Sequence, residues 1–196
     1  MKEKVGVVVV NYNASSFVVN LFESLPQNFS EICSELLVID NCSDDASVDK
    51  ISAWISANKM DDVLKLIISE VNGGYAHGNN QGIKKLKMAG EMPEFILLLN
   101  PDTVVTENTF DALIAFMKAN PSVGIAGSKL ISDDGDVQCS SFRFPSILSE
   151  LATSLKLGVI DSLLSKWIIA PKHIPRVAEK VDWVAGASMI IRREVF

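Results

Sequence analysis

Five apolar residues in unbroken succession, Phe95 to Leu99, stop at Asn100-Pro101-Asp102. A run with no polar alternation reads as a strand buried on both faces, the kind found in parallel sheets covered by helices. Proline has no N–H to give to a sheet ladder, so Pro101 closes the strand. An amide, Asn100, and a carboxylate, Asp102, therefore stand just past the carboxyl end of a buried strand. In open α/β sheets that edge is where ligands bind. Asn-Pro-Asp is also an ordinary turn, with Asp102 capping the next helix.

The rest of the chain repeats the theme. Val5 to Val10 is a β-branched run ending at Asn11-Tyr12-Asn13. Ser15 or Ser16 is placed to cap a helix with Val18, Leu21, Phe22 and Leu25 on one face, and Pro26 follows its end. Leu36 to Ile39 is a second strand, ending in Asp40-Asn41-Cys42-Ser43-Asp44-Asp45, before a helix with Val48, Ile51 and Ile55 inward. Val63 to Ser69 is a third, followed by Asn72-Gly73-Gly74-Tyr75-Ala76-His77-Gly78-Asn79-Asn80 and a helix holding Ile83 and Leu86. After Asp102, Thr106 is placed to cap a helix with Phe110, Leu113, Ile114 and Met117 inward, stopped at Pro121, and Val123 to Ala126 is a fifth strand. Strict alternation of short strands and helices predicts an α/β fold with a mostly parallel central sheet and helices on both faces. Four polar clusters then meet at one sheet edge, which four unrelated turns explain poorly.

Beyond residue 128 the pattern changes. Asp133-Asp134-Gly135-Asp136 is a turn, and Val137 to Phe144 reads as extended. Residues 147–169 have helical spacing through Leu148, Leu151, Leu155, Val159, Leu163 and Trp167. With only Lys156 and Lys166 as basic residues, this stripe reads as core or partner packing rather than an interfacial membrane helix. Residues 181–191 read as a loop or short helix entering a strand.

With 196 residues, 48% of them apolar, the chain is expected to form one domain, 1–196. A net charge of −6 argues against a nucleic-acid binder, which shows a basic face. Cys33, Cys42 and Cys139 are odd in number and without metal spacing, as in a cytoplasmic protein with reduced thiols. Met1-Lys2-Glu3-Lys4 leads into a strand-length run, not a secretory leader. No run reaches the roughly 18 apolar residues of a membrane span. The expected location is cytoplasmic, with peripheral attachment at the inner membrane face as a variant.

Each polar cluster suggests chemistry. Asp40, at a strand end, can accept hydrogen bonds from a base N–H or a ribose hydroxyl; it can equally close an Asx turn, although Asp44 and Asp45 are better placed to cap, which leaves Asp40 free. Gly73, Gly74 and Gly78 permit close backbone approach to a ligand, with Asn79 and Asn80 opening a helix whose N–H groups favour anions; a ligand-free glycine-rich connection is the alternative. Neither the dinucleotide-binding nor the P-loop glycine fingerprint is present. Asp102 suits a hard divalent cation such as Mg²⁺, completed by phosphates and water. His77 and His173 have no partner at ligand spacing and read as surface residues. Trp183 fits either a core position or the wall of a sugar pocket.

Five segments in order carry a resemblance: Val8–Asn13, Leu37–Asp45, Asn72–Gly82, Leu98–Thr103 and Trp183–Arg193. Together they resemble the inverting glycosyltransferases of family 2, with the GT-A nucleotide-binding fold, and Asn-Pro-Asp in place of Asp-x-Asp resembles the rhamnosyltransferase-like branch. The resemblance implies a donor half, 1–128, and the start of an acceptor half, 129–196. It implies that Asn11 and Tyr12, with Asn13 beside them, line the nucleotide pocket and that Asp40 contacts the base. Asn72, Gly74 and Asn79 lie near the nucleotide-sugar. Asn100 replaces the first carboxylate of the usual pair, and Asp102 holds Mg²⁺ or Mn²⁺ against the diphosphate. Trp183, Gly186 and Ala187 shape the sugar and acceptor side.

The implied reaction moves a sugar from a nucleoside-diphosphate sugar, UDP- or dTDP-linked, to a hydroxyl of a saccharide or lipid-linked saccharide, in polysaccharide assembly at the cell envelope. The family's general base is expected beyond Phe196, since neither Asp182 nor Glu194 sits in its motif. The apolar end, Ile190, Ile191, Val195 and Phe196, then leaves a patch favouring self-association. Two other readings are a sugar-phosphate nucleotidyltransferase, although Asn11 to Ser16 lacks a glycine, and a non-catalytic nucleotide-sugar-binding fragment.

Overall fold

The structure is a computed structural model that describes residues 5–88, 90, 92–146, 169, 175 and 177–196. The chain forms two compact units: Met1–Ala126 with Gly186–Phe196, and Gly127–Ala185.

The first unit is built on a six-stranded sheet. In chain order its strands are β1 (Val5–Asn11), β2 (Cys33–Asp40), β3 (Leu64–Ile68), β4 (Phe95–Leu99), β5 (Ile125–Gly127) and, after four short strands described below, β10 (Ser188–Arg192). Their order across the sheet is β3-β2-β1-β4-β10-β5. β1 runs parallel to β2 and β4, and β2 parallel to β3, while β10 lies antiparallel to β4. Every residue of β1 and β4 is buried, as their unbroken apolar runs require.

Alternate residues of these strands feed two cores. Val7, Val9, Leu36, Val38, Leu97 and Leu99 pack under α1 (Ser15–Glu23), α2 (Phe29–Ile32), α3 (Ser47–Ala57) and α5 (Thr109–Ala119), through residues such as Leu21, Phe29, Ile51 and Phe110. On the opposite face Val8, Leu37, Ile39, Ile96 and Leu98 pack under α4 (Gly74–Met88) through Ile83 and Leu86. The mostly parallel sheet with helices on both faces is thus present. β10 is tied in from its far end. Arg192 donates to the Met117 carbonyl at 2.6 Å and the Val123 carbonyl at 3.2 Å, placing its charge against the carbonyl end of α5.

The glycine-rich segment departs from expectation. It is not a loop leading to a helix at Asn79; α4 already begins at Gly74, so Asn79 and Asn80 lie within it. The reason is packing. A Cβ on Gly78 would come within 2.7 Å of Val10 Cγ1, and one on Gly82 within 2.5 Å of Val8 Cγ1. These two glycines let the α4 backbone rest directly on β1, where any side chain would hold it off. Gly82→Val is therefore expected to destabilise the fold by about 3 kcal/mol, the upper range for overpacking a core. That corresponds to a fall of roughly 6–12 °C in Tm, to be read by thermal unfolding; an unchanged Tm would mean that α4 does not lie on β1 in this way.

Helix starts differ in detail too. Neither Ser15 nor Ser16 caps α1; the Ala14 carbonyl accepts the N–H groups of Phe17 and Val18 instead. Thr106 bonds Thr109 rather than capping α5, which follows Asn108 in a left-handed conformation. At α3 the capping position is Ala46 and no side chain caps the helix: Asp44 pairs with Asn13, and Asp45 closes a local turn by accepting the Ser47 N–H at 2.9 Å, with Ser47 holding the Asp45 carboxyl below its ordinary pKa.

In the second unit β6 (Leu130–Ile131) pairs antiparallel with β7 (Val137–Gln138) across the expected turn, with Gly135 at φ 88°. β8 (Ser141–Phe142) pairs antiparallel with β9 (Trp183–Val184). Residues 181–191 contain no helix: β9, a turn at Gly186-Ala187 and β10 follow one another. The stripe proposed for 147–169 falls, apart from Ile169, outside the described residues, as does His173. The apolar chain end is only partly a patch. Ile190 and Ile191 are buried in β10, and only Val195 and Phe196 stay half-exposed, with the Phe196 carbonyl accepting from Lys87 at 3.2 Å.

Candidate donor site at the carboxyl edge of the sheet

Strand register lines up the polar ends. Asn11 lies opposite Asp40, Asp40 opposite Ile68, and Leu99 opposite both Val9 and Ser188. Because β10 is antiparallel, its leading turn, Gly186-Ala187, arrives at the same edge as the carboxyl ends of β1 to β4. The first unit therefore gathers Asn11, Asp40, Asn72, Gly74, Asn100, Asp102, Gly186 and Ala187 along one edge. Asn79 joins them through Gly78, which packs on Val10, the residue before Asn11.

Asp40 is not free, as its sequence position led one to expect. Its side chain is wholly buried and saturated from within. One oxygen accepts Asn11 Nδ2 at 2.7 Å and Ser43 Oγ at 2.7 Å, and the other accepts the Ser43 N–H at 2.9 Å. A buried carboxylate with no cation beside it needs such donors. The Asx turn is thus realised, and the carboxylate's other partner is Asn11 of the same chain. Asn13, in a left-handed conformation, exchanges hydrogen bonds with Asp44 and donates its N–H to Ser43 Oγ at 3.0 Å. Tyr12 is half-exposed.

A second network joins β2 to α4. Asn41 Nδ2 donates to Asn72 Oδ1 at 2.6 Å, and the same oxygen accepts the Gly74 N–H at 3.1 Å, closing the start of α4. Gln81 Nε2 lies 3.0 Å from Ser69 Oγ and 2.8 Å from His77 Nε2. His77 is thus an exposed helix residue with a side-chain partner.

Three buried amide oxygens, Asn11 Oδ1, Asn41 Oδ1 and Asn79 Oδ1, have no hydrogen-bond partner among the described residues. Leaving a buried acceptor unmade typically costs about 1–3 kcal/mol. All three lie near the same edge, at the end of β1, just past β2 and within α4, each closed off from solvent, so a ligand bringing N–H or O–H groups would meet them only if the edge opened.

At the end of β4 the Asn100 carbonyl accepts Thr103 Oγ1 at 2.7 Å and the Thr103 N–H at 3.3 Å. That turn carries Asp102 outward. Asp102 is exposed, and its carboxylate has no hydrogen-bond partner among the described residues. No group of three His, Cys, Asp or Glu that could hold a metal occurs among the described residues. A lone carboxylate is a fitting donor for a hard divalent ion only where phosphate oxygens and water supply the rest of the shell. Asn100 sits beside it with its N–H donated to the Ala187 carbonyl at 2.8 Å.

Trp183 belongs to the second unit. It stacks on Phe142, with centroids 4.3 Å apart, and donates its indole N–H to the Arg143 carbonyl at 3.1 Å. It is 40% exposed and so is not a core residue. Sequence reasoning missed Asn41, Ser43 and Tyr75. Ser43, three residues past Asp40, had a readable signal in its Asp-x-x-Ser spacing; Tyr75 had none, because its partner, Gly186, is 111 residues away.

The chain spans only part of the length of its relatives. It is 26% identical over 166 residues to the poly-beta-1,6-N-acetyl-D-glucosamine synthase of Staphylococcus epidermidis, covering 82% of this chain and 38% of that protein. It is 24% identical over 196 residues to a low-salt glycan biosynthesis hexosyltransferase of Haloferax volcanii, covering 100% of this chain and 55% of that one. Among solved structures, a mannosyltransferase of Pyrobaculum calidifontis in complex with GDP-Man and Mn²⁺ superposes with a TM-score of 0.61 at 16% identity, over 100% of this chain and 46% of that one. That likeness shows the GT-A fold. The description "Glycosyl transferase family 2" matches residues 6–195, and the chain belongs to that family.

Proposed function

We propose that this protein transfers a sugar, with inversion, from a nucleoside-diphosphate sugar to a hydroxyl of a saccharide or lipid-linked saccharide in cell-surface glycan assembly. The observation that carries the reading is the unengaged carboxylate of Asp102, set on the same edge as the orphaned acceptors Asn11, Asn41 and Asn79. The family and the named activities of the relatives support it, and favour glycosyl over nucleotidyl transfer. The donor sugar is of hexosyl or rhamnosyl type.

In this reading Asn11, Tyr12 and Asn13 line the nucleotide pocket. Asp40 acts from behind, fixing the Asn11 amide and the Ser43 loop rather than meeting the base itself. Asn72 and Gly74 shape the entry to α4, and Asn79 offers its buried carbonyl to the nucleotide-sugar. Asn100 orders the turn that presents Asp102, and Asp102 holds Mg²⁺ or Mn²⁺. The cation, when bound, neutralises charge on the departing diphosphate. Gly186 and Ala187 flank the sugar, and Trp183 serves the acceptor side.

The chain divides near residue 128 into a nucleotide-sugar-binding half and the start of an acceptor half, with Ser188–Arg192 returning to the sheet of the first. No helix among the described residues is long and apolar enough to cross a membrane, and the reading places the protein in the cytoplasm or at the inner membrane face. Two carboxylates near the last strand are already engaged: Asp182 accepts the Phe144 N–H at 3.0 Å, and Glu194 lies beside Arg193 at 3.4 Å.

General-base catalysis is worth about 10²–10⁴-fold, so the reading expects efficient release of nucleoside diphosphate where a base is in place and donor binding with only slow release where it is not. Product analysis with donor, Mn²⁺ and a saccharide acceptor tests this. Binding with at most slow release of nucleoside diphosphate supports the reading. Pyrophosphate release indicates nucleotidyl transfer and overturns it, and turnover at the 1–10³ s⁻¹ common for enzymes places a base within this chain.

A further inference from the structure

Tyr75 lies in the first turn of α4, and its hydroxyl donates to the Gly186 carbonyl at 2.6 Å. A carbonyl only accepts, so this contact exists only with the phenol protonated. The next carbonyl along, that of Ala187, accepts the Asn100 N–H at 2.8 Å. The turn leading into β10 is therefore fastened at two successive carbonyls. One fastening runs to the start of α4, the other to the end of β4, two residues before Asp102.

The fastening is a fitted one. A Cβ on Gly186 would stand 3.4 Å from Tyr75 Oη and 3.5 Å from Cε1, so the ring lies about a methyl group's distance from the turn. Burial pushes the Tyr75 phenol above its ordinary pKa, opposed in part by the Asn79 side chain, and so keeps the hydroxyl a donor. One helical turn on, Asn79 Nδ2 donates to the Tyr75 carbonyl at 3.0 Å while Asn79 Oδ1 is buried with no partner among the described residues. Tyr75 thus bridges a buried acceptor of the candidate pocket and the Gly186-Ala187 turn, yet it is neither a metal ligand nor a pocket-floor residue in the function proposed above.

We propose that Tyr75 is a positioning residue that acts through Gly186. Its hydroxyl fixes the Gly186-Ala187 turn beside the Asn100–Asp102 turn and so sets the wall against which the sugar of the donor rests, as distinct from its nucleotide. The inference depends on the donor-site reading. It predicts a division of labour: the nucleotide is held by the ends of β1 and β2 and by Asp102, and the sugar is felt by the latch. Removing the hydroxyl alone should then weaken binding of the sugar-bearing nucleotide and spare the bare one.

Tyr75→Phe in the whole 196-residue chain tests this, since phenylalanine keeps the ring packing and loses only the donor. Wild type and variant are titrated in Mn²⁺ with three probe pairs, UDP with UDP-N-acetylglucosamine, dTDP with dTDP-rhamnose, and GDP with GDP-mannose. Amide hydrogen exchange is measured on both proteins without ligand. A net hydrogen bond of ordinary strength predicts about three- to tenfold faster exchange at residues 186–188. The same principle predicts about three- to tenfold weaker binding of the sugar nucleotide that wild type accepts, with its nucleoside diphosphate held within about twofold. Unchanged exchange overturns the latch, and equal weakening of both members of a pair overturns the sugar-positioning role. Wild-type protein that binds none of the six probes overturns the donor-site reading itself, and this inference with it.

Discussion

Alanine at Asp102 will abolish metal-dependent binding of the donor while leaving the fold intact. Asp102 lies outside the core, past the last residue of β4, on a turn closed by Asn100 and Thr103 backbone and hydroxyl groups that the substitution does not touch. Its carboxylate bonds nothing else among the described residues, so stability should move by no more than about 0.5 kcal/mol, as for other surface changes. Binding is another matter. With no second carboxylate in a metal-holding group among the described residues, the cation has Asp102 and the diphosphate to rely on. Loss of several kcal/mol of charge stabilisation corresponds to a hundredfold or more in affinity, on the order of two decades. Titration of Asp102→Ala in Mn²⁺, against the same protein in EDTA, checks this. A variant that still binds as wild type does in Mn²⁺ would remove Asp102 from the metal role.

Asp40→Ala should behave in the opposite way, as a stability mutant first. Three donors converge on this carboxylate: Asn11 Nδ2, the Ser43 N–H and the Ser43 hydroxyl. Removing it strands buried donors at the ends of β1 and β2, each worth about 1–3 kcal/mol when unpaired. Part of that is recovered because a buried charge is also removed. A net loss of about 2–4 kcal/mol follows, or roughly 5–15 °C in Tm for a chain of this size. Because Asp40 orients Asn11, donor affinity measured well below the new Tm should fall as well. A variant as stable as wild type would mean that Asp40 is held ready for ligand rather than spent on the fold, which is the role its sequence position first suggested.

Those two carboxylates mark how far the sequence could be read. Asp102 was legible because its cause is local: an apolar run, a proline that cannot pair, a carboxylate one residue later. The strands Val5–Asn11 and Phe95–Leu99 were legible for the same reason, since burial on both faces writes itself as an unbroken apolar run. Asp40 was half legible. Its place at the edge followed from the strand, but its saturation depends on Asn11, 29 residues earlier. The glycine-rich segment was misread because glycine lowers helix propensity, and only the closeness of Val8 and Val10 explains why α4 carries Gly78 and Gly82.

Helix starts were misplaced at Ser15 and Thr106 because backbone carbonyls and a left-handed Asn108 do the work that side chains were expected to do. Residues 181–191 read as a loop or short helix entering a strand, but nothing local shows that the strand enters between β4 and β5, which brings its leading turn to the carboxyl edge of the sheet. The Tyr75–Gly186 contact is of the same long-range kind.

The central claim is that the carboxyl edge of this sheet is a metal-dependent donor site. Isothermal titration of the folded 196-residue chain with UDP-, dTDP- and GDP-linked sugars in Mn²⁺, repeated in EDTA, tests it most directly. The account predicts saturable binding of at least one nucleotide-sugar, lost in EDTA and lost in Asp102→Ala. Binding that persists undiminished in EDTA, or folded protein that takes up none of these donors, would contradict it.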